Sequence, residues 1–322
     1  MAKKIQGKKI LALALAAVMV LLPMGKIAHA EKLNQPVYAY GESLTDKEVK
    51  ETAKLLGVPS DPGPDLITMK VNIDELNGLL HDNYHYYQVY SSVYLEPTDK
   101  VDGVEVKIAT PKTITTITAN QYANAAITAG AVNMKITVAS VKAVDGSGAL
   151  AGVYKAFKGT SGELSEDKVK VAQKELEVTS QIFKENEKKG DFSDDQLNAA
   201  IAEIKGQISN FKNENNGTIN GDQIGQIINN VVNNYNLNGI LTKDNIQEIQ
   251  GLMDQFSQIE LTQDQKDALS RFGNKLVSEG GKLLENVKSS WDDLSPKTKD
   301  DAVGFFQSII NGIIRFFQGL FS

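Results

Sequence analysis

The sequence predicts an α+β fold: a small α/β domain with about four strands over residues 31–160, followed by an irregular α-helical bundle over 161–322. Three observations carry that reading. Residues 36–158 mix the two-residue period of strands with the 3.6-residue period of helices. From 163 onward one helix-start pattern recurs and strand alternation stops. Residues 1–30 read as a secretory signal peptide, which stands outside the fold.

The leader is defined by Lys3, Lys4, Lys8 and Lys9, the apolar run Ile10 to Leu22, and the small-x-small site Ala28-His29-Ala30. An apolar run of thirteen residues falls short of the ~20 that a spanning helix needs. The expectation is export, with Glu31 first in the mature chain, and release or non-covalent retention at the envelope of a Gram-positive bacterium.

In the first half, Thr45-Asp46-Lys47-Glu48 is a capping box, with Leu44 and Val49 placed as a staple, and predicts a helix from 46 to about 56. Gly57 and Pro59 end it. Leu66 to Val71 is β-prone, and Asn72 or Asp74 starts a short helix. Tyr86 to Leu95 reads as a strand with Val104 to Ile108 as its hairpin partner. Thr116 to Ala129 reads as helix, Met134 to Val144 as strand, and Ala149 to Phe157 as a short helix.

In the second half, an apolar residue precedes an N-cap residue at Leu164-Ser165, Phe192-Ser193, Ile219-Asn220, Leu241-Thr242, Leu261-Thr262 and Leu294-Ser295. Gln196, Gln223 and Gln265 stand where capping boxes require them. The unequal spacing of these starts excludes a solenoid and indicates a bundle.

Composition narrows the function. Removing the leader's five lysines from 34 basic residues leaves 29 against 40 acidic ones, a net of −11, which opposes binding to nucleic acid. The chain has no cysteine, so thiol catalysis, disulfides, Cys-ligated zinc and a lipidated N-terminal Cys are excluded.

GESLT (Gly41 to Thr45), ITANQYANAAITAGA (Ile117 to Ala131) and ITVASVKAVDGSGALAGVYKAF (Ile136 to Phe157) resemble the YpuA-like family of secreted Gram-positive bacterial proteins, a domain of unknown function. The resemblance implies export and a shared fold, most closely over the α/β half. It implies no activity and carries over no functional residue.

Asp145-Gly146-Ser147-Gly148-Ala149-Leu150-Ala151 contains G-x-G-x-x-A between a predicted strand and a predicted helix, the setting of a dinucleotide fingerprint. No second strand ending in an acid follows, so a tight, closely packed turn is the better reading and no cofactor is expected. His81 and His85 could share a metal only on a continuous helix, which Gly78 and Asn83 oppose; no metal site is expected. Glu75, Glu96, Glu105 and Asp145 offer carboxylates for an envelope hydrolase, but their spacing selects no pair.

The run YYQVYSSVYL, read as one strand, sends Tyr86, Gln88, Tyr90, Ser92 and Tyr94 to a single face, a stacking surface for an envelope glycan or a protein partner. The competing reading is that a helix covers that face. At the C-terminus, Phe305, Phe306, Ile309, Ile310, Ile313, Ile314, Phe316, Phe317, Leu320 and Phe321 form a wide apolar face on an amphipathic helix. Its destination is the bundle, a membrane interface or an oligomer contact; the lack of a basic rim favours the bundle. The leading expectation is an exported cell-envelope protein without enzymatic activity that binds an envelope component or partner.

Overall fold

The computed structural model describes residues 33–80, 85–99, 103–160, 165–285 and 287. The α/β half runs β1 (Val37–Gly41), α1 (Asp46–Leu56), β2 (Ile67–Val71), α2 (Ile73–Leu80), β3 (Ser92–Pro97), β4 (Val104–Ile108), α3 (Ala119–Ala129), β5 (Met134–Ala139) and α4 (Ser147–Thr160). The helical half continues with α5 (Glu166–Asn186), α6 (Asp194–Glu214), α7 (Gly221–Asn234), α8 (Lys243–Phe256) and α9 (Gln263–Glu279). The fold is therefore α+β, as the sequence predicts.

The five strands form one mixed sheet of order β2-β1-β3-β5-β4. β1 and β2 are parallel, as are β4 and β5, while β3 runs antiparallel to both β1 and β5. Among the described residues the expected strands, about four, are joined by one more, β1, making five. One expectation is corrected here: β3 and β4 form no hairpin, because β5 lies between them. Burial explains the insertion: Met134, Ile136 and Val138 of β5 are buried, as a central strand requires, while Glu105 and Lys107 alternate outward on β4, as suits an edge.

Alternation assigns each face its cover. Tyr38 of β1 and Tyr94 of β3 face α1 and cluster with Leu56 and Ala139. Val37, Ala39, Val93 and Leu95 face the other way, into a core that runs without interruption from the sheet through α3 and α4 to the helices beyond. Each fully buried Val or Leu there contributes ~1.5–3 kcal/mol of transfer free energy.

Local chemistry sets the helix ends. Thr45 and Glu48 close the reciprocal capping box of α1, and Gly57 ends it at φ 79°, a left-handed conformation that glycine adopts without strain. Ser165, Ser193, Asn220, Thr242 and Thr262 each accept from the backbone N–H three residues on. Gln196, Gln223 and Gln265 answer as expected, and Asn245 adds a fourth reciprocal box. The start expected at Leu294-Ser295 lies outside the described residues.

α4 rests on β3 and the segment just ahead of it through glycines one turn apart. A Cβ on Gly148 would come within 2.7 Å of Ser91 Oγ and Val89 Cγ2, and one on Gly152 within 2.8 Å of Val93 Cγ1. Gly146, at φ 115°, receives the Tyr122 hydroxyl on its carbonyl at 2.6 Å. The G-x-G-x-x-A motif is thus filled by its own neighbours and serves helix-to-sheet packing.

Candidate binding cleft

A cleft of about 490 Å³ opens where β2, α2 and α4 meet, lined by Met69 and Lys70, by Glu75, Gly78 and Leu79, and by Lys155, Lys158 and Gly159. β2 supplies its wall as an edge strand, since among the described residues only β1 flanks it. α2 starts at Asn72, whose side chain accepts the Glu75 N–H at 2.8 Å while Glu75 Oε2 accepts the Asn72 N–H at 3.0 Å. That reciprocal pair turns the Glu75 carboxylate toward α4.

Lys155 and Lys158, three residues apart, share one face of α4. Lys155 Nζ donates to Glu75 Oε1 at 2.5 Å, to Oε2 at 2.6 Å and to the Lys70 carbonyl at 2.7 Å. Burial alone would raise the Glu75 carboxyl, but the Lys155 ammonium and the Asn72 N–H outweigh it and hold the group below the ordinary carboxylate range. Lys158 stands exposed at the mouth. Lys155 on the Glu75 carboxylate and an exposed Lys158 lining the same cleft as Met69 and Leu79 suit an anionic group attached to an apolar body.

A second polar cluster is closed to solvent. Between α3, α5 and α6, Lys205 Nζ donates to Glu175 Oε1 at 2.6 Å and to Thr128 Oγ1 at 3.0 Å, and Thr128 Oγ1 donates to Glu175 Oε2 at 2.6 Å. Burial pushes the Lys205 ammonium down, against the opposing pull of Glu175. Tyr154 Oη and Asn124 Oδ1, both buried, have no hydrogen-bond partner among the described residues. The cluster's geometry joins the two halves of the chain.

The tyrosine surface expected on one strand is not formed as such. The strand begins at Ser92, because residues 86 and 89 give their backbone groups elsewhere. Asn77 accepts the Tyr86 N–H and donates to its carbonyl, at 2.8 and 3.0 Å, and Ser43 does the same for Val89, at 3.0 and 3.1 Å. Ser92 and Tyr94 are buried on the face that α1 covers, Tyr86 and Tyr90 are half-buried, and Gln88 is exposed in the loop. Tyr87, which alternation assigned to the core face, is instead 75% exposed with its ring edge-on to His85 at 4.8 Å.

Among the described residues no three His, Cys, Asp or Glu side chains group as a metal site, and no helix is long and apolar enough to cross a membrane. His81 lies outside the described residues. So do Phe305, Phe306, Ile309, Ile310, Ile313, Phe316, Phe317, Leu320 and Phe321. Of the carboxylates considered for hydrolysis, Glu75 is held by Lys155, Glu105 faces Lys135 at 4.0 Å, and Asp145 accepts from Ser147. The sequence reading missed the lysine pair. Its signal was there: Lys155 and Lys158 are the two charges on a helix otherwise built of small and apolar residues.

Fold and cleft together define a cysteine-free α+β protein with a lysine-lined pocket at the edge of a mixed sheet. By sequence, the chain belongs to the family described as Protein of unknown function (DUF1002), whose pattern it matches over residues 40–272. It is 25% identical over 328 residues to Uncharacterized protein YpuA of Bacillus subtilis (strain 168), covering 97% of this chain and 100% of that one. No solved structure matches it.

The stretches that resemble this family make contacts that position α2, the segment ahead of β3, and α4. Gly41 meets the Val89 carbonyl, Glu42 accepts the Ile73 N–H, Ser43 holds Val89, and Tyr122 of α3 reaches Gly146 ahead of α4. These residues hold up the wall of the cleft.

Proposed function

We propose that the protein is an exported, non-enzymatic envelope protein whose α/β half binds a carboxylate- or phosphate-bearing envelope component in the cleft between β2, α2 and α4. The observation that carries the reading is the pairing of Lys155 and Lys158 over an apolar floor, in a chain whose overall charge is acidic. Export is supported by the basic, apolar and Ala-x-Ala segments of the leader.

The test is titration of mature 31–322 with polyglycerol phosphate and with polyglutamate, at low and high salt, beside Lys155→Gln/Lys158→Gln. Glutamine, one bond shorter, keeps a polar side chain with an N–H donor while removing both charges. Binding that weakens with salt and falls about tenfold or more in the double variant is the expected result. Equal affinity for wild type and variant removes the cleft from consideration.

A second reading rests on the apolar sequence Phe305 to Phe321: the chain associates with lipid through its C-terminal segment. Flotation of 31–322 with vesicles, lost in a chain ending at Ser295 that retains its circular dichroism and melting transition, is the outcome that supports it. Absence of flotation by the full mature chain refutes it.

A further inference from the structure

The open edge of β2 carries hydrogen-bonding groups that point at the cleft. In the parallel pair, the Ile67 N–H donates to the Pro36 carbonyl, and the Glu42 N–H donates to the Val71 carbonyl. The odd residues of β2 therefore face β1, and strand alternation turns the N–H and C=O groups of Thr68 and Lys70 to the other side. Among the described residues no strand pairs along that side. Its one recorded occupant is Lys155 Nζ, on the Lys70 carbonyl at 2.7 Å. A lysine set against an exposed edge is a device that keeps other strands away.

The charges flank that edge on both sides. Lys155 and Lys158 stand on the α2 and α4 side with Met69 and Leu79. Alternation sends the Lys70 side chain to the opposite face of β2, where it is exposed. A chain laid along the edge would thus meet ammoniums whichever way its side chains point, and would offer an N–H to replace Lys155 on the Lys70 carbonyl.

Resting on the proposed anion cleft, we infer that its occupant is an extended acidic peptide that adds to β2 as a sixth strand. The Thr68 N–H and C=O and the Lys70 carbonyl pair with its backbone. Lys155, displaced from that carbonyl, turns to a peptide carboxylate, and Lys158 takes the same face. Charge complementarity selects the residue class, and the row of unpaired backbone groups selects a peptide over an anion that lacks a backbone.

The experiment uses mature 31–322 and fluorescence anisotropy with an end-capped peptide of alternating Glu and Val. Beside it are two analogues N-methylated at alternate residues, one in each phase, and labelled polyphosphate as an anion with no peptide N–H. Edge pairing uses every second N–H, so one analogue should lose at least about tenfold in affinity while the other binds as the parent does. Thr68→Pro removes an edge donor that takes no part in the β1 ladder, so it should weaken the peptide similarly and leave polyphosphate unchanged.

Three results overturn the pairing: no binding of the parent peptide, equal binding of both analogues, or full peptide affinity in a folded Thr68→Pro. Polyphosphate binding that persists in wild type and falls in Lys155→Gln/Lys158→Gln then leaves the anion cleft standing. Equal binding of both probes to that double variant overturns the cleft reading itself. If Thr68→Pro does not fold, as judged by its melting transition, the pair of analogues decides alone.

Discussion

Lys205 Nζ lies 2.6 Å from Glu175 Oε1, and both side chains are only 1% exposed. The pair ties α6 to α5, and through Thr128 it ties both to α3 of the sheet half. Removing one member strands the other charge in a site from which water is excluded. Lys205→Met is expected to cost about 3–5 kcal/mol in urea unfolding, and Lys205→Met/Glu175→Gln to recover most of that, since Gln can still accept from Thr128. A double variant as unstable as the single one would show that the geometry of the pair, and not its charge, is what the fold requires.

Asp194, at the start of α6, accepts from Thr118 Oγ1, Asn120 Nδ2 and Asn198 Nδ2 at 2.7 to 2.9 Å. Burial, with Asp195 adding to it, outweighs these donors and raises its carboxyl from 3.8 to about 6. Between those values the native state keeps a proton that the unfolded chain has released. Its stability contribution is therefore full below about pH 4 and falls as pH rises through 6, by up to about 3 kcal/mol. Unfolding measured from pH 4 to 7.5 should show this slope in the wild type and a flatter one in Asp194→Asn. Identical slopes would place the titration elsewhere.

The glycines divide by their surroundings. Gly148→Ala presses a methyl against Val89 and Ser91 ahead of β3 at 2.7 Å, Gly152→Ala presses one against Val93 of β3 at 2.8 Å, and each is expected to lower stability by about 1–3 kcal/mol. Gly78 sits mid-helix with nothing within 4 Å of a Cβ, so Gly78→Ala should raise stability by about 0.5–1 kcal/mol. Thermal melts of the three variants test both signs at once.

Gln265 closes the capping box of α9 and, from the same side chain, donates to the Ile127 carbonyl at 2.7 Å at the end of α3. Gln265→Ala leaves the buried Ile127 carbonyl without this donor and takes one acceptor from the half-buried Lys168, so a loss of about 2–3 kcal/mol is expected. Thr262→Ala, which loses the cap alone, should cost only about 1 kcal/mol. Equal losses would mean that the reach to α3 contributes nothing.

Gln265 also marks how far the sequence could be read. Its capping role was legible because a cap is decided within four residues. Its hold on α3 was not, because 138 residues separate it from Ile127. The same division runs through the fold. The cap residues located α1 and the helices after residue 165, while strand order depended on which strands have both faces covered, a property of the assembled sheet. Tyr86 and Val89 looked like strand because their side chains alternate; Asn77, nine residues back on α2, and Ser43, forty-six residues back, take their backbone groups out of the ladder. Lys155 and Lys158 were visible as charges but became a site only when β2 and α2 came beside them.

Gly148 seats α4 against Val89 and Ser91, just ahead of β3, with no side chain of its own between, and Lys158 lies ten residues further along the same helix. At 1.5 Å per residue that is a lever arm of about 15 Å, so a tilt of about 5° at the glycine swings the lysine by about 1.3 Å. The cleft is therefore gauged from its far end: a methyl group added where no ligand reaches would reset the distance between its walls.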